Sequence, residues 1–305
     1  MRVIRMGASV CVAVVLASSW AMAQAIPYML TDWACGVIVW PGAVPSYAEH
    51  FTQRLTHAAE AAFGFWGYDI PTSVKGAYDE ANAFQIHDPA TDSVRTIPPL
   101  GWADRETLPV VVFAFGSVDA IRLAMGDTEL YAAFWSPWPL DPGGSPEVKE
   151  WILAVGAGYR NMICTSSATD EVLIHEFAHW FTFQWCYSQG ITAPQLPNYI
   201  VEGIAEVTCA SAKDANSTVY DRLQAYSWAQ NKCLTGSIQG VMKYPVGASI
   251  VGYLVDTLGT DDFLRTLREW SIRAWLMIDQ YQAGWRESLG LPSNCPQEEV
   301  ESTGV

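Results

Sequence analysis

Residues 170–186 read DEVLIHEFAHWFTFQWC, and this stretch decides how the rest of the chain is interpreted. An α-helix turns about 100° per residue, so side chains four positions apart lie on one face, one turn apart. His175 and His179 have that spacing, and two imidazoles placed so can bind one Zn²⁺. Glu176 lies beside the pair, where its carboxylate reaches a metal-bound water rather than the metal. The stretch therefore predicts a helix that carries a hydrolytic zinc centre.

A catalytic zinc takes three protein ligands and keeps one open position. The chain has five histidines and none follows His179, so a carboxylate must be the third ligand. The segment NYIVEGIAE supplies Glu202 and Glu206, four residues apart on one helix face. We predict that Glu202 completes the metal site and that Glu206 accepts a hydrogen bond from the far nitrogen of a ligand histidine. Asn198 is the expected cap of this helix, and Gly203 is expected to let it approach the first helix closely.

The remaining pattern predicts an α+β fold, in which a strand-rich front half (about 30–165) leads into a helical half (about 166–280). Both halves belong to one predicted domain, 24–292, followed by a loose tail, 293–305. Residues 64–108 are rich in glycine, proline and polar residues and are expected to be an irregular insertion. Strands are predicted at 35–40, 108–115, 131–135, 151–155 and 160–165, and helices at 46–63, 117–125, 170–186, 199–210, 219–230, 246–258 and 261–278.

The first 23 residues have the pattern of a cleaved secretory signal peptide. Arg2 and Arg5 precede an apolar run, and small residues follow it, so that cleavage after Ala23 or Ala25 fits equally well. The run is shorter than the roughly 20 apolar residues of a membrane span. We therefore expect a secreted or periplasmic protein.

Charge narrows the range of partners. Lysine and arginine total 17 against 32 aspartate and glutamate residues, a net charge of −15. Such a surface repels phosphate backbones and anionic lipid, so nucleic acid and stable membrane association are not expected. The 14 tryptophans are expected to be mostly core residues rather than a sugar-binding surface.

Because the protein is expected to be exported, its cysteines are expected to have a structural role. The chain has seven, and Cys11 lies in the signal segment, which leaves six in the mature protein. An even number in an oxidising compartment predicts up to three disulfides, whose pairing the sequence leaves open. Because no two form a C-x-x-C pair, a cysteine-based metal or redox site is disfavoured. The six are Cys35, Cys164, Cys186, Cys209, Cys233 and Cys295.

The segments HEFAHW, PNYIVEGIAE and YPVGASIVGYLVDTLGTDDFL together resemble the gluzincin group of zinc metallopeptidases, specifically the peptidase MA-like domains of exported bacterial proteins. The resemblance covers most of residues 30–280. It implies a zincin-like fold, with an N-terminal mixed sheet and helices followed by a helical half that carries the HExxH helix. By this resemblance His175, His179 and Glu202 are zinc ligands, Glu176 is the general base, and Glu206 supports a ligand histidine.

The resemblance also implies a side chain that stabilises the oxyanion of the reaction. Tyr244 is the candidate because similar domains often have a tyrosine there, and Tyr253 is the alternative. The insertion at 64–108 and the six cysteines depart from the family pattern. These departures affect the shape expected for the substrate cleft but not the expected metal site.

The expected activity is hydrolysis of peptide bonds in a peptide or protein substrate by an exported enzyme with one zinc per chain. Two alternatives stay open: a zinc hydrolase of a non-peptide amide or glycan-linked substrate, and a catalytically silent binding protein stabilised by its metal. The intact Glu176 favours a hydrolase, because a structural site needs no base.

An extended substrate is expected to pair with a sheet edge near residues 154–165, which lead into the metal helix. Selectivity would then come from pockets lined by Tyr159, Trp180 and Tyr199. We therefore expect an endopeptidase with a broad apolar or aromatic preference.

Overall fold

The computed structural model describes residues 28–70, 84–88, 93–97, 110–125, 132–136, 160–189, 196–213, 215–234 and 237–296. Within these ranges the chain is mixed α/β and mostly helical, and its strands all precede residue 166. The expected signal peptide, the strand expected at 151–155 and residues 297–305 of the tail lie outside the described residues.

A five-stranded mixed sheet forms the front of the fold, in the order β1-β2-β5-β7-β6. Its three central strands are parallel, and the outer strand on each side is antiparallel to its neighbour. The central strand reads VVVFAF, and its consecutive residues 112–115 are all buried, as expected of a strand covered on both faces. The five strands are β1 (Tyr28–Trp33), β2 (Gly36–Pro41), β5 (Val110–Phe115), β6 (Ala133–Ser136) and β7 (Arg160–Thr165).

The predicted strands at 35–40, 108–115, 131–135 and 160–165 are confirmed, with small changes at their ends. Strand β1 was not expected. The prediction for 64–108 was wrong in part, because β3 (Phe84–Asp88) and β4 (Ser93–Ile97) inside it pair in antiparallel fashion. Each of these strands has only five residues, too short for its alternating pattern to stand out among the surrounding glycines and prolines.

Seven helices are described, and each lies where the sequence predicts one. The last extends ten residues beyond its predicted end, and none of the helices in the described ranges is long and apolar enough to cross a membrane. Short 3₁₀ turns at Cys209–Ser211 and Gly240–Met242 adjoin two of them. The helices are α1 (Ala48–Phe65), α2 (Val118–Met125), α3 (Asp170–Ser188), α4 (Asn198–Thr208), α5 (Ala215–Ala229), α6 (Lys243–Leu258) and α7 (Thr260–Ser288).

Helix α3 lies at the centre of the core and packs against α1, α4 and β6. Aromatic rings fill the space around it. Trp66 stacks on Phe181 with ring centroids 5.6 Å apart, and its indole N–H donates to Thr208 Oγ1 at 2.9 Å. The tryptophans that could have suggested a sugar-binding surface are instead largely buried, which confirms the core interpretation for Trp33, Trp40, Trp180 and Trp185.

One disulfide is present among the described residues, between Cys233 and Cys295. It ties the α5–α6 connection to the segment after α7 across 62 residues, a loop length for which a disulfide contributes about 4 kcal/mol. Of the up to three disulfides predicted, one is therefore observed, and the remaining four cysteines are free and buried in the core. Burial raises the pKa of Cys186 to about 12, so its thiol stays protonated and packs as a small apolar side chain. The four are Cys35, Cys164, Cys186 and Cys209.

Candidate metal centre

Helices α3 and α4 bring His175, His179 and Glu202 to one point. Nε2 of His175 and Nε2 of His179 each lie 3.4 Å from the same carboxylate oxygen, Oε2 of Glu202. The ligand atoms of the three residues all lie within 4.8 Å of one another, and the side chains are at most 14% exposed. This group could hold a metal ion.

The chemistry of Glu202 fits a cation. Its Oε2 is buried and has no hydrogen-bond partner among the described residues, whereas its Oε1 accepts from Nζ of Lys243 at 2.6 Å. A buried carboxylate oxygen without a donor is costly unless something positive binds it. Two imidazole nitrogens and one carboxylate oxygen match the ligand set of catalytic zinc sites.

Glu206 holds His175 from the opposite side of the ring. Its Oε1 lies 3.0 Å from Nδ1 of His175, which leaves Nε2 directed at Glu202. Its other oxygen contacts Lys213, whose Nζ also binds Asp221 at 3.0 Å. This arrangement matches the support that metal-binding histidines receive in proteins, where the far nitrogen donates to a carboxylate.

Glu176 is buried beside the two histidines, with 7% of its surface exposed. The main-chain N–H of Trp135 donates to its carboxylate, and the ring of Trp135 lies nearly parallel to that of His179 at a centroid distance of 6.3 Å. Burial raises the pKa of Glu176, although the two histidines oppose that shift. A carboxylate with a raised pKa, held next to a candidate metal site, can accept and return a proton.

Opposite charges within the cluster shift the pKa values of Glu202 and His175 against the effect of burial. Burial works to raise the pKa of Glu202, but attraction by His175, His179 and Lys243 outweighs it, and the pKa is strongly lowered. Burial likewise works to lower the pKa of His175, but contacts with Cys209, Glu202 and Glu206 leave it raised. A metal must therefore displace a proton from His175, so its binding should weaken as the pH falls.

The two candidate tyrosines lie on opposite faces of α6, since nine residues are two and a half helical turns. The ring of Tyr244 lies 6.1 Å from that of His175, at the cluster. Tyr253 instead lines a cavity of about 360 Å³ between α4, α5, α6 and α7, and its hydroxyl faces Gly284. Only Tyr244 is therefore brought to the site.

Gly203 allows a close helix approach, but its partner is not the one expected. A Cβ at Gly203 would lie 2.3 Å from the carbonyl oxygen of Gly247, so the close crossing is between α4 and α6 rather than α4 and α3. The cap prediction for Asn198 holds only in part, since its Oδ1 accepts from the main-chain N–H of Tyr199 in the first turn of α4 at 2.8 Å. Asn198 is the first residue of α4, Pro197 precedes it at the cap position, and the Asn198 side chain binds the main chain of Ile238 through Oδ1 and Nδ2.

The expected substrate pocket also needs correction. Trp180 and Tyr199 are fully buried and cannot line a cleft, and Tyr159 lies outside the described residues. Strand β7 leads into α3 but is paired on both sides, by β5 and β6. Strand β6 is the last strand of the described sheet and carries Trp135, so the edge nearest the site belongs to β6.

Sequence reasoning missed four residues that contact the cluster. Lys213 and Lys243 lie outside the two motifs and have no periodic relation to them, so no sequence signal pointed to them. Cys209 follows Glu206 by three residues and forms with it and His175 a second group that could hold an ion. We interpret this second group as support for His175, because Glu206 is already paired with Lys213. The fourth residue is Trp135.

The histidines of α1, His50 and His57, are exposed and do not belong to the candidate metal site. The chain matches no protein-family profile and no curated protein sequence.

Proposed function

We propose that the protein is an exported zinc-dependent metallopeptidase of gluzincin type with a zincin-like fold. The observation that carries the proposal is the convergence of two imidazole nitrogens and an unpartnered carboxylate oxygen beside a buried glutamate. Parallel strands that lead into the HExxH helix, with an antiparallel strand at the edge beside it, support the zincin-like assignment.

His175, His179 and Glu202 would hold the zinc. Zn²⁺ bound there would act as a Lewis acid, polarising the scissile carbonyl and lowering the pKa of a water molecule. Glu176 would take a proton from the attacking water and return it to the leaving amine, and its raised pKa brings it closer to the working pH. The N–H of Trp135 fixes the orientation of the carboxylate.

Tyr244 is the donor for the oxyanion. Burial and the nearby charge of Glu202 raise its pKa, which keeps the hydroxyl protonated and able to donate. Its ring lies 6.1 Å from the ring of His175, and the ammonium group of Lys243 lies 4.8 Å from its ring centroid. A prepositioned donor of this kind contributes a factor of about 10²–10³ to the reaction rate.

An extended peptide pairs with the edge of β6, because the main chain of this strand already reaches Glu176 through Trp135. Backbone pairing carries little sequence information, so side-chain preference falls to the surfaces near the edge. Trp135 is only half-buried and contacts the ring of Phe183 at 4.9 Å, which offers an aromatic surface next to His179. This supports an apolar preference beside the scissile bond.

Purified protein is expected to contain about one zinc per chain, and Glu202→Ala is expected to lose most of it, because two histidines alone rarely hold a catalytic zinc. Metal analysis after dialysis measures this. Glu49→Ala, which removes an exposed carboxylate from α1, is the matched control and should keep its zinc. Full zinc content in the Glu202 variant would remove that residue from the site.

Zinc-loaded protein is expected to cleave a mixed peptide library internally, mainly beside apolar or aromatic residues. Mass spectrometry of the products reports the cleavage positions. Cleavage confined to lysine or arginine sites would contradict the proposed substrate surface. No cleavage of any peptide by zinc-loaded protein would favour the non-peptide hydrolase or the silent binding protein.

A further inference from the structure

Lys243 is the first residue of α6 and reaches the metal cluster from the solvent side, with 29% of its side chain exposed. Its Nζ lies 2.6 Å from Oε1 of Glu202. The contact is therefore an ion pair with a proposed metal ligand, made by a residue outside both metal motifs.

Because of this ion pair, the two carboxylate oxygens of Glu202 have different partners. Oε1 is taken by Lys243, and Oε2 alone faces the nitrogens of His175 and His179. The same division recurs one turn along α4. There Lys213 takes one oxygen of Glu206, and the other faces Nδ1 of His175. Both carboxylates of the helix are thus fixed at their outer oxygen by a lysine.

We propose that Lys243 is a positioning residue that holds Glu202 so that a single oxygen is presented to the metal. This inference rests on the proposed zinc centre. A carboxylate free at both oxygens can turn away from the histidines or bind through both oxygens and fill the position that a catalytic site keeps open for water. With Oε1 held by Lys243, neither rearrangement is available.

Electrostatics alone gives the opposite expectation, which makes the proposal testable. A positive charge beside a metal ligand repels a cation, so removing it should tighten metal binding if charge were its only effect. Loss of a group that orients a ligand instead weakens binding, by about 10–100-fold for such outer contacts. The direction of the change in zinc affinity separates the two.

The experiment compares Lys243→Met with the full-length wild-type protein, using competition with a chromophoric chelator to measure zinc affinity. Lys243→Met is expected to bind zinc about 10–100-fold more weakly. Lys243→Arg keeps the charge and an N–H donor for Oε1, and is expected to bind zinc more tightly than Lys243→Met. Lys232→Met removes an equal charge from an exposed position away from the site and should leave the affinity unchanged.

The visible spectrum of the Co²⁺-substituted protein gives a second readout, independent of activity. Lys243→Met is expected to change it and Lys232→Met is not, because the spectrum depends on the number and geometry of the ligands. Equal or tighter zinc binding by Lys243→Met, with the wild type holding zinc and cleaving peptides, would overturn this inference alone. Wild-type protein that binds no zinc would overturn the proposed function together with it. Thermal unfolding of each variant checks that the fold is kept.

Discussion

Replacing Glu176 with glutamine is expected to lower the turnover of a peptide substrate by about 10²–10⁴-fold while the zinc content stays unchanged. Glutamine keeps the size of the side chain and can still accept the N–H of Trp135, but it cannot take a proton from water. Glu176 is not among the three proposed ligands, so the metal should remain. Turnover under saturating substrate and metal analysis of the same preparation measure both effects.

Glu171→Gln is the matched control, because it removes an equal charge from the first turn of the same helix. It should leave both turnover and zinc content close to wild type. Undiminished hydrolysis by the Glu176 variant would show that the activity belongs to another site or to a contaminant. Loss of zinc along with activity would show that Glu176 supports the metal rather than the chemistry.

Gly247→Ala is expected to destabilise the protein by about 3 kcal/mol or more, at the upper end of the range for overpacked positions. A Cβ at this position would lie 2.0 Å from the carbonyl oxygen of Tyr199 and 2.9 Å from the nitrogen of Gly203. These are main-chain atoms that cannot rotate away, so α4 and α6 would have to separate. Because α4 carries Glu202 and α6 carries Lys243, zinc affinity should fall as well.

Urea unfolding of the metal-free protein measures the stability, and Gly252→Ala on the same helix is the control. A Cβ there meets only a Val207 methyl group at 3.9 Å, an ordinary contact. Alanine also favours a helix over glycine, by about 0.5–1 kcal/mol. The Gly252 variant should therefore be at least as stable as wild type, and equal stability of the Gly247 variant would contradict the close crossing.

The metal motifs could be read from the sequence because helical spacing is a local property. Four-residue separation fixes which side chains share a face, so His175 with His179, and Glu202 with Glu206, could be paired before any fold was known. Local pattern also located the helices and the central strands, since their apolar residues are continuous or periodic over many positions. Each of these inferences depended only on residues close together along the chain.

Which residues meet across the fold was decided by tertiary structure. The sequence correctly suggested that Gly203 allows another helix to approach closely, but not that this helix is α6. The absence of a side chain at Gly203 does not indicate which neighbouring helix packs there. The four buried thiols show the same limit. An even count of cysteines permits disulfides, but only the positions of the elements decide that Cys233 meets Cys295 and the others stay in the core.

The lysines illustrate the limit at the site itself. Lys213 and Lys243 lie 11 and 41 residues from Glu202 along the chain, and a long flexible side chain gives no sequence pattern of its own. They reach the two carboxylates only because α6 crosses α4 at paired glycines and the chain turns back after Cys209. Sequence by itself determined the residues that could hold a metal, through the fixed geometry of one helix. Tertiary structure decided how their charges are balanced, because that balance depends on which distant side chains the packing brings within contact.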